Sequence, residues 1–317
     1  MPLLTDVPVA ARPLLAPGEH LQEVAPEDLG PEAAGAWRAI VGAGPAFVAG
    51  GPFGDRLVLL RDEAPRSQYA LMNELLAAGG SLPDGLACLA LTGSRFQGQR
   101  GRAWAALRGN LHVSVHFTLD LDAAGHQVGL TVLPAVAAAR AIESVSGGCV
   151  RPGTKWVNDL MLGGRKVAGV LTATQLHRGR LRNAVLGIGV NVAHAPELPP
   201  VPRVPRPGSL ADADDAFAGD DAWARLLPPL LAELERGRAL LAAGGGAALV
   251  AEYRARATFL GRAVTIWPVD EATGSPGAEV RPLVRGVVRA LRDDLALEVE
   301  GVDAPVRHGR MTLDDAS

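Results

Sequence analysis

The sequence predicts an α/β chain of the α+β kind: a mixed, largely antiparallel sheet flanked by helices, followed by a small β-barrel. Three observations carry that prediction. Leu111, Val113, Val115 and Phe117 alternate along "NLHVSVHFTL", the period-2 pattern of a partly buried antiparallel strand. "TKWVNDLML", "RKVAGVLTATQL" and "LRNAVLGIGVNVA" read as three consecutive strands joined by tight turns, the first turn being Gly163-Gly164, a two-residue hairpin signal. "LTVLPAVAAARAIESV" has the length and alanine content of a buried helix, and Pro134 is expected in its first turn.

In chain order, residues 1–50 are rich in Ala, Pro and Gly, with one short helix expected around "PEAAGAWRAIV", and read as an extension of uncertain fold. A strand follows at Leu57 to Leu60, then an amphipathic helix that Ser67 caps and Gly79 stops. "LACLALTG" is the next strand. "APELPPVPRVPRPGSL" is too rich in proline for regular structure and is expected as a surface connection. From about Asp221 to Ala257 the chain reads as helical, broken at "AAGGGAA". The tail has short alternating strands with turns at "GSPG" and "RDD", and its length of roughly 55 residues suits an SH3-like or OB-like barrel. The expected units are therefore 1–50, a main domain over 51–257, and the barrel over 258–317.

The 317 residues, 48% hydrophobic and 21% charged with net charge -3, are ordinary globular usage and give no general bias toward nucleic acid. Cys88 and Cys149 have no CxxC or Cys/His spacing, so neither a disulfide framework nor a cysteine-held metal is expected. "MPLLTDVPVAARPLL" lacks the pattern of a signal peptide. No stretch is read as the ~18 apolar residues of a membrane span. A cytoplasmic location with no membrane partner is expected.

The chemistry is expected at two places. Lys155, Asn158 and Asp159 fall on one predicted strand, and the hairpin turn brings them toward Lys166 and Gly169. Two lysines beside a carboxylate suit an anion together with a divalent metal ion, although a solvated hairpin has the same spacing. "RFQGQRGRAW" is overcharged for a turn: Gly98 and Gly101 free backbone N–H groups for a phosphate, and Arg100 and Arg102 add charged donors. Trp104 is either a wall for a planar ligand or core. Gly187 and Gly189 thin a strand against which a ligand could lie, with Asn191 able to read a base edge, or they relieve packing.

The ordered set "FQGQRGRAW", "NLHVSVHF", "TKWVNDLML", "RKVAGVLT" and "GIGVNV" strongly resembles the catalytic domain of biotin–protein ligases, over about residues 57 to 195. The tail looks like the small barrel that follows in that family. The resemblance implies a class II synthetase-like ligase domain using MgATP and biotin as substrates. It would form biotinyl-5'-AMP and then biotinylate a lysine on the carrier domain of a carboxylase. By position, Lys166 matches the catalytic lysine, and Arg100 and Arg102 the charged residues of the loop that closes over the adenylate. Gln97, Gly98 and Gln99 belong to the same loop, Trp104 matches the aromatic beside adenine, and Asp159 matches a Mg²⁺ contact. Further biotin or adenylate contacts fall to Ser67, Gln68, Gly93, Lys155, Asn158, Gly169 and Asn191.

The chain also departs from the pattern. "APRSQYAL" offers only Ser67 and Gln68 where the family has Ser-Thr-Asn, and Thr92, Gly93 and Ser94 stand where a glutamine is usual. Gln97 and Gln99 occupy positions where arginine is common. The first two differences bear on the bicyclic head, so lipoate or octanoate is the alternative acid, and a non-catalytic carrier-binding relative the alternative class. Residues 1–50 are too short for a DNA-binding winged helix, so no DNA is expected. A homodimer is left open.

Overall fold

The computed structural model describes residues 3–50, 53, 55–199, 201, 203–268 and 281–314. The N-terminal segment supplies β1 (Leu3–Thr5), α1 (Pro8–Ala11), β2 (Gln22–Val24), α2 (Pro31–Ile40) and β3 (Ala46–Ala49). Next come β4 (Val58–Ala64), α3 (Gln68–Ala77), β5 (Ala87–Gln97), β6 (Ala103–Ala106), β7 (Leu111–Asp122) and α4 (Ala123–Val145). They are followed by β8 (Gly153–Lys155), β9 (Asp159–Leu162), β10 (Arg165–His177) and β11 (Arg180–Val190). Helices α5 (Ala222–Ala242) and α6 (Gly246–Ala255) precede β12 (Ala263–Trp267), β13 (Val284–Leu291), β14 (Leu297–Val299) and β15 (Arg310–Leu313).

The main sheet runs β2-β3-β1-β4-β5-β7-β11-β10-β9-β8, with β6 folded back onto β5. Only β1–β4 and β4–β5 pair in parallel; the other pairs of this sheet are antiparallel. The sequence expectation of a mixed, largely antiparallel sheet flanked by helices is met. One face packs against α4, α5 and α6 through Leu60, Leu89, Val113, Val115 and Phe117. The other packs against α2 and α3 through Leu4, Leu59, Trp37 and Met72. The first fifty residues thus do not stand apart, because β1 pairs directly with β4 and α2 covers the sheet.

Local signals explain several boundaries. Ser67 accepts a hydrogen bond from the Ala70 N–H at 3.3 Å and caps α3, and Gly79 follows its end at φ +83°. Gly163 and Gly164 both have positive φ, as the tight hairpin between β9 and β10 requires.

Four expectations are corrected. Pro134 lies inside α4, not in its first turn: Asp122 caps the helix by accepting from the Gly125 N–H at 3.0 Å. Burial of that alanine-rich helix offsets the hydrogen bond a proline removes. This same helix is long and apolar enough to cross a membrane, contrary to the reading of the sequence, but 67% of its most apolar window is buried among the other elements. "TKWVNDLML" is not one strand but two, β8 and β9, so Lys155 faces Asp159 across a turn. Finally, the polar residues of β7 are buried too, with His112, Ser114 and His116 at 4%, 5% and 1% exposure, because α3 and the hairpin of β5 and β6 lie over that face of the sheet.

The tail forms a four-stranded antiparallel sheet, β14-β13-β12-β15. The expected turn at "RDD" is present, and the one at "GSPG" lies outside the described residues. Trp156 Nε1 ties this small sheet to the main one by donating to the Leu295 carbonyl at 2.8 Å, and the Thr154 N–H holds the end of α6 by donating to the Arg256 carbonyl at 2.8 Å.

Candidate active site

A cavity of about 320 Å³ opens on the polar face of the sheet where α3 leaves it uncovered. Its floor is β7, β10 and β11, contributing His112, Gly169, Gly187 and Gly189. The start of α3 adds Ser67, Gln68 and Tyr69. The hairpin of β5 and β6 forms one wall, and the proline-rich segment after β11 forms another, through Pro196, Leu198, Val204 and Pro207. That segment is no mere surface connection: Lys166 N–H donates to the Arg206 carbonyl at 2.8 Å and Gly208 N–H to the Lys166 carbonyl at 2.9 Å. Arg310, from β15 of the small sheet, closes the remaining side.

The charged centre is built by register. Asp159 is paired with Lys155 across β8–β9 and with Gly169 across β9–β10. Its carboxylate sits 2.6 Å from Lys166 Nζ and 3.5 Å from Lys155 Nζ. A bulge between Lys166 and Ala168 breaks the strict alternation of β10, so that Lys166 Nζ comes within 3.1 Å of where a Cβ on Gly169 would be. Burial pushes the Asp159 carboxyl upward, but Lys166, Lys155 and more remotely Arg102 outweigh it and hold it below the usual range. Burial acts oppositely on Lys155, whose ammonium is shifted down against the pull of Asp159.

Trp104 lies beside this centre, with Lys166 Nζ 5.4 Å from its ring centre. A Cβ on Gly189 would fall 2.7 Å from the indole and one on Gly169 3.2 Å from it, so these two glycines make the seat of the ring. Gln68, 2% exposed, presents a buried Nε2 with no hydrogen-bond partner to the cavity.

Most expected site residues meet here. Ser67, Gln68, Gln97, Gly98, Gln99, Arg102, Trp104, Asn158, Lys166, Gly169 and Asn191 all line the cavity. Lys155 and Asp159 lie behind its wall, where they set Lys166. Gly93 sits beneath Phe96, whose ring would be 2.2 Å from an added Cβ. Arg100, at φ 62°, lines a neighbouring groove on the outer side of the hairpin. Gly98 N–H is not free for a phosphate, since it donates to the Arg102 carbonyl at 2.7 Å. Asn191 uses its amide nitrogen on the Gly208 carbonyl at 2.9 Å, anchoring the proline-rich wall and leaving its buried Oδ1 without a partner.

A metal held by the protein does not fit this arrangement. The Asp159 carboxylate faces two ammonium groups, and among the described residues no group of three or more His, Cys, Asp or Glu could hold an ion. His112, Tyr69 and Arg310 were missed as site residues. The sole signal for His112 was its polar place in the alternation of β7, and Arg310 lies far away in sequence.

Fold and cavity together define a small-molecule site with a cationic centre, an aromatic wall and a buried amide donor, enclosed on a mixed sheet. Residues 79–191 match the biotin/lipoate A/B protein ligase family. The biotin–[acetyl-CoA-carboxylase] ligase of Mycobacterium tuberculosis is 31% identical over 242 residues, covering 74% of this chain and 80% of that protein. The bifunctional ligase/repressor BirA of Bacillus subtilis is 32% identical over 120 residues, 38% of this chain. That alignment spans only 36% of BirA's own length. Among solved structures, biotin protein ligase from Aquifex aeolicus in complex with biotin and ATP superposes with a TM-score of 0.59 at 17% identity, over 82% of this chain and 99% of that one. The chain belongs to the biotin/lipoate protein ligase family.

Proposed function

We propose that this chain is a biotin–protein ligase. In the first step a biotin carboxylate oxygen attacks the α-phosphorus of ATP, the bond to the bridging oxygen breaks, and pyrophosphate leaves. In the second, the neutral ε-amine of a carrier-domain lysine attacks the acyl carbon; AMP leaves and the amine gives up a proton. The observation that carries this reading is Lys166, held 2.6 Å from a buried carboxylate yet facing a cavity walled by Trp104. Its ammonium stands where negative charge develops in both steps, and a fixed cation there costs no reorganisation during reaction; the half-buried Arg102 guanidinium adds a second positive charge from the adaptable hairpin. The unpartnered Nε2 of Gln68 supplies a buried donor suited to a polar head group. Mg²⁺ belongs to the reading as the counter-ion that arrives with ATP, held by phosphates rather than by a protein cage. The acceptor is the biotin carboxyl-carrier domain of a carboxylase, and the compartment is cytoplasmic. DNA is not among the partners we propose, because residues 3–50 are spent on the sheet edge and α2.

A second acid has an observation in its favour: Gly93 is covered by Phe96 and cannot supply the usual side-chain contact to a ureido ring, which a straight-chain lipoate or octanoate would not need. Pyrophosphate release from ATP, with biotin, lipoate and octanoate offered singly, separates these readings. Release with biotin is expected, falling by ~10²–10³ in Lys166→Ala. Full activity in Lys166→Ala would overturn the site, and release with lipoate or octanoate alone would overturn the substrate.

A further inference from the structure

We propose that His112 is a positioning residue for the activation step, a buried imidazole that fixes the plane of Trp104 and so shapes the planar wall beside Lys166. The proposal rests on the ligase reading above. His112 stands on β7 directly opposite Gly189 of β11, the residue whose missing side chain makes room for Trp104. Trp104 Nε1 donates to His112 Nδ1 at 3.2 Å. That leaves Nε2 as the protonated nitrogen, and it donates to the Leu107 carbonyl at 3.3 Å. One neutral tautomer therefore satisfies both contacts.

Two aromatic rings hold the imidazole from the sides. Phe96 meets it edge-on at 5.9 Å and 77°, Trp104 at 6.4 Å and 78°. A protonated imidazole would lose the acceptor that Trp104 uses. At 4% exposure, burial depresses the pKa to about 4, so the acceptor persists throughout the neutral range. Trp104 in turn stands against Lys166. A change in the indole plane would therefore move the aromatic wall beside a cation that Asp159 holds in place.

The test uses the full chain labelled with ¹⁵N-tryptophan, Trp104→Phe assigning the Trp104 indole signal. In the wild type, Trp104 Nε1–H exchanges with water at least ~10-fold more slowly than an unbonded indole, as expected for a donor tied to a buried acceptor. In His112→Leu, which keeps the volume but removes the acceptor, the signal moves and that protection is lost. In His112→Asn, whose amide oxygen falls near the former Nδ1, it is largely regained. In steady state, His112→Leu raises KM for ATP by ~10-fold while kcat falls less, and His112→Asn restores most of it. Wild-type exchange as fast as a free indole overturns the proposal without any variant. So does an unchanged KM in His112→Leu, or equal impairment in Leu and Asn, which would mark a packing role only. If the wild type consumes ATP with none of the three acids, the ligase reading fails by itself, while indole exchange still decides whether His112 orders Trp104.

Discussion

On the β8–β10 side of the cavity, Asp159 is 8% exposed and ion-paired to two lysines. On the opposite side, the tip of the β5–β6 hairpin is half-buried or exposed and tied mainly to itself, by Gly98 N–H to the Arg102 carbonyl and by Arg102 Nε to the Gln99 carbonyl at 3.2 Å. The first side is over-determined: register, bulge and charge all fix Lys166. The second has few contacts outside its own turn, so it can adapt to a ligand at little cost to the fold. Chemistry that needs a fixed cation and a substrate that must enter and leave are thereby assigned to different walls. Substitutions on the rigid side should change stability and catalysis together, whereas those at the uncharged tip residues Gln97 and Gln99 should change ligand lifetime alone.

The largest effect expected is for Asp159→Asn. It leaves the ammonium groups of Lys155 and Lys166 facing each other, one of them almost wholly buried, at a cost of ~3–5 kcal/mol. The midpoint of guanidinium unfolding reads this, and an unchanged midpoint would remove the ion cluster from the rigid side. Next is the pH dependence of stability. The folded pKa of His112, about 4, is depressed from an ordinary 6.5, so as pH falls the unfolded chain takes up the proton first. The stability from keeping this imidazole neutral is complete above about pH 6.5 and is lost on the way down to pH 4, on the order of 3 kcal/mol. Unfolding at pH 7 and pH 4.5 should show His112→Asn losing less than the wild type; parallel losses would mean the imidazole is not held neutral. Gly189→Ala comes third. Its methyl would meet Trp104 at 2.7 Å, costing ~1–3 kcal/mol by overpacking, with a rise in KM for ATP as the ring shifts. A variant as stable and as active as the wild type would show that the indole is not pinned.

The same division decided what could be read from the sequence. Ser67 as a cap, Gly79 as a stop and Gly163-Gly164 as a turn were legible because each is a local demand of backbone geometry. Lys166, Trp104 and Gln99 were legible through their place in ordered motifs. What escaped was non-local or ran against alternation. The bulge after Lys166 reverses a face by one residue, and nothing in "RKVAGVLT" marks it. His112 occupies the polar side of an alternating strand, and the Phe96 and Trp104 rings that bury it come from a hairpin whose fold-back the strand's own pattern does not show. Arg310 reaches the cavity only because β15 is docked beside it. Lys155 and Asp159 were found by their chemistry, but their position behind the wall depends on a chain reversal at Trp156–Asn158 that the apolar pattern conceals.

The smallest effect belongs to the tip. Gln99 lines the cavity and touches the rest of the wall chiefly through its carbonyl, on Arg102. Gln99→Arg would add a cation to the cavity that Lys166 and Arg102 also line without disturbing a buried contact, so stability should stay within ~0.5 kcal/mol of the wild type, as at other sites free of packing. A charge-assisted contact to the acyl-adenylate acts on escape more than on capture. The intermediate should therefore leave ~3- to 10-fold more slowly in an isotope chase, with little change in its rate of formation. An unchanged release rate would place the tip outside contact with the ligand, and a large loss of stability would show that this wall is as over-determined as the one facing it.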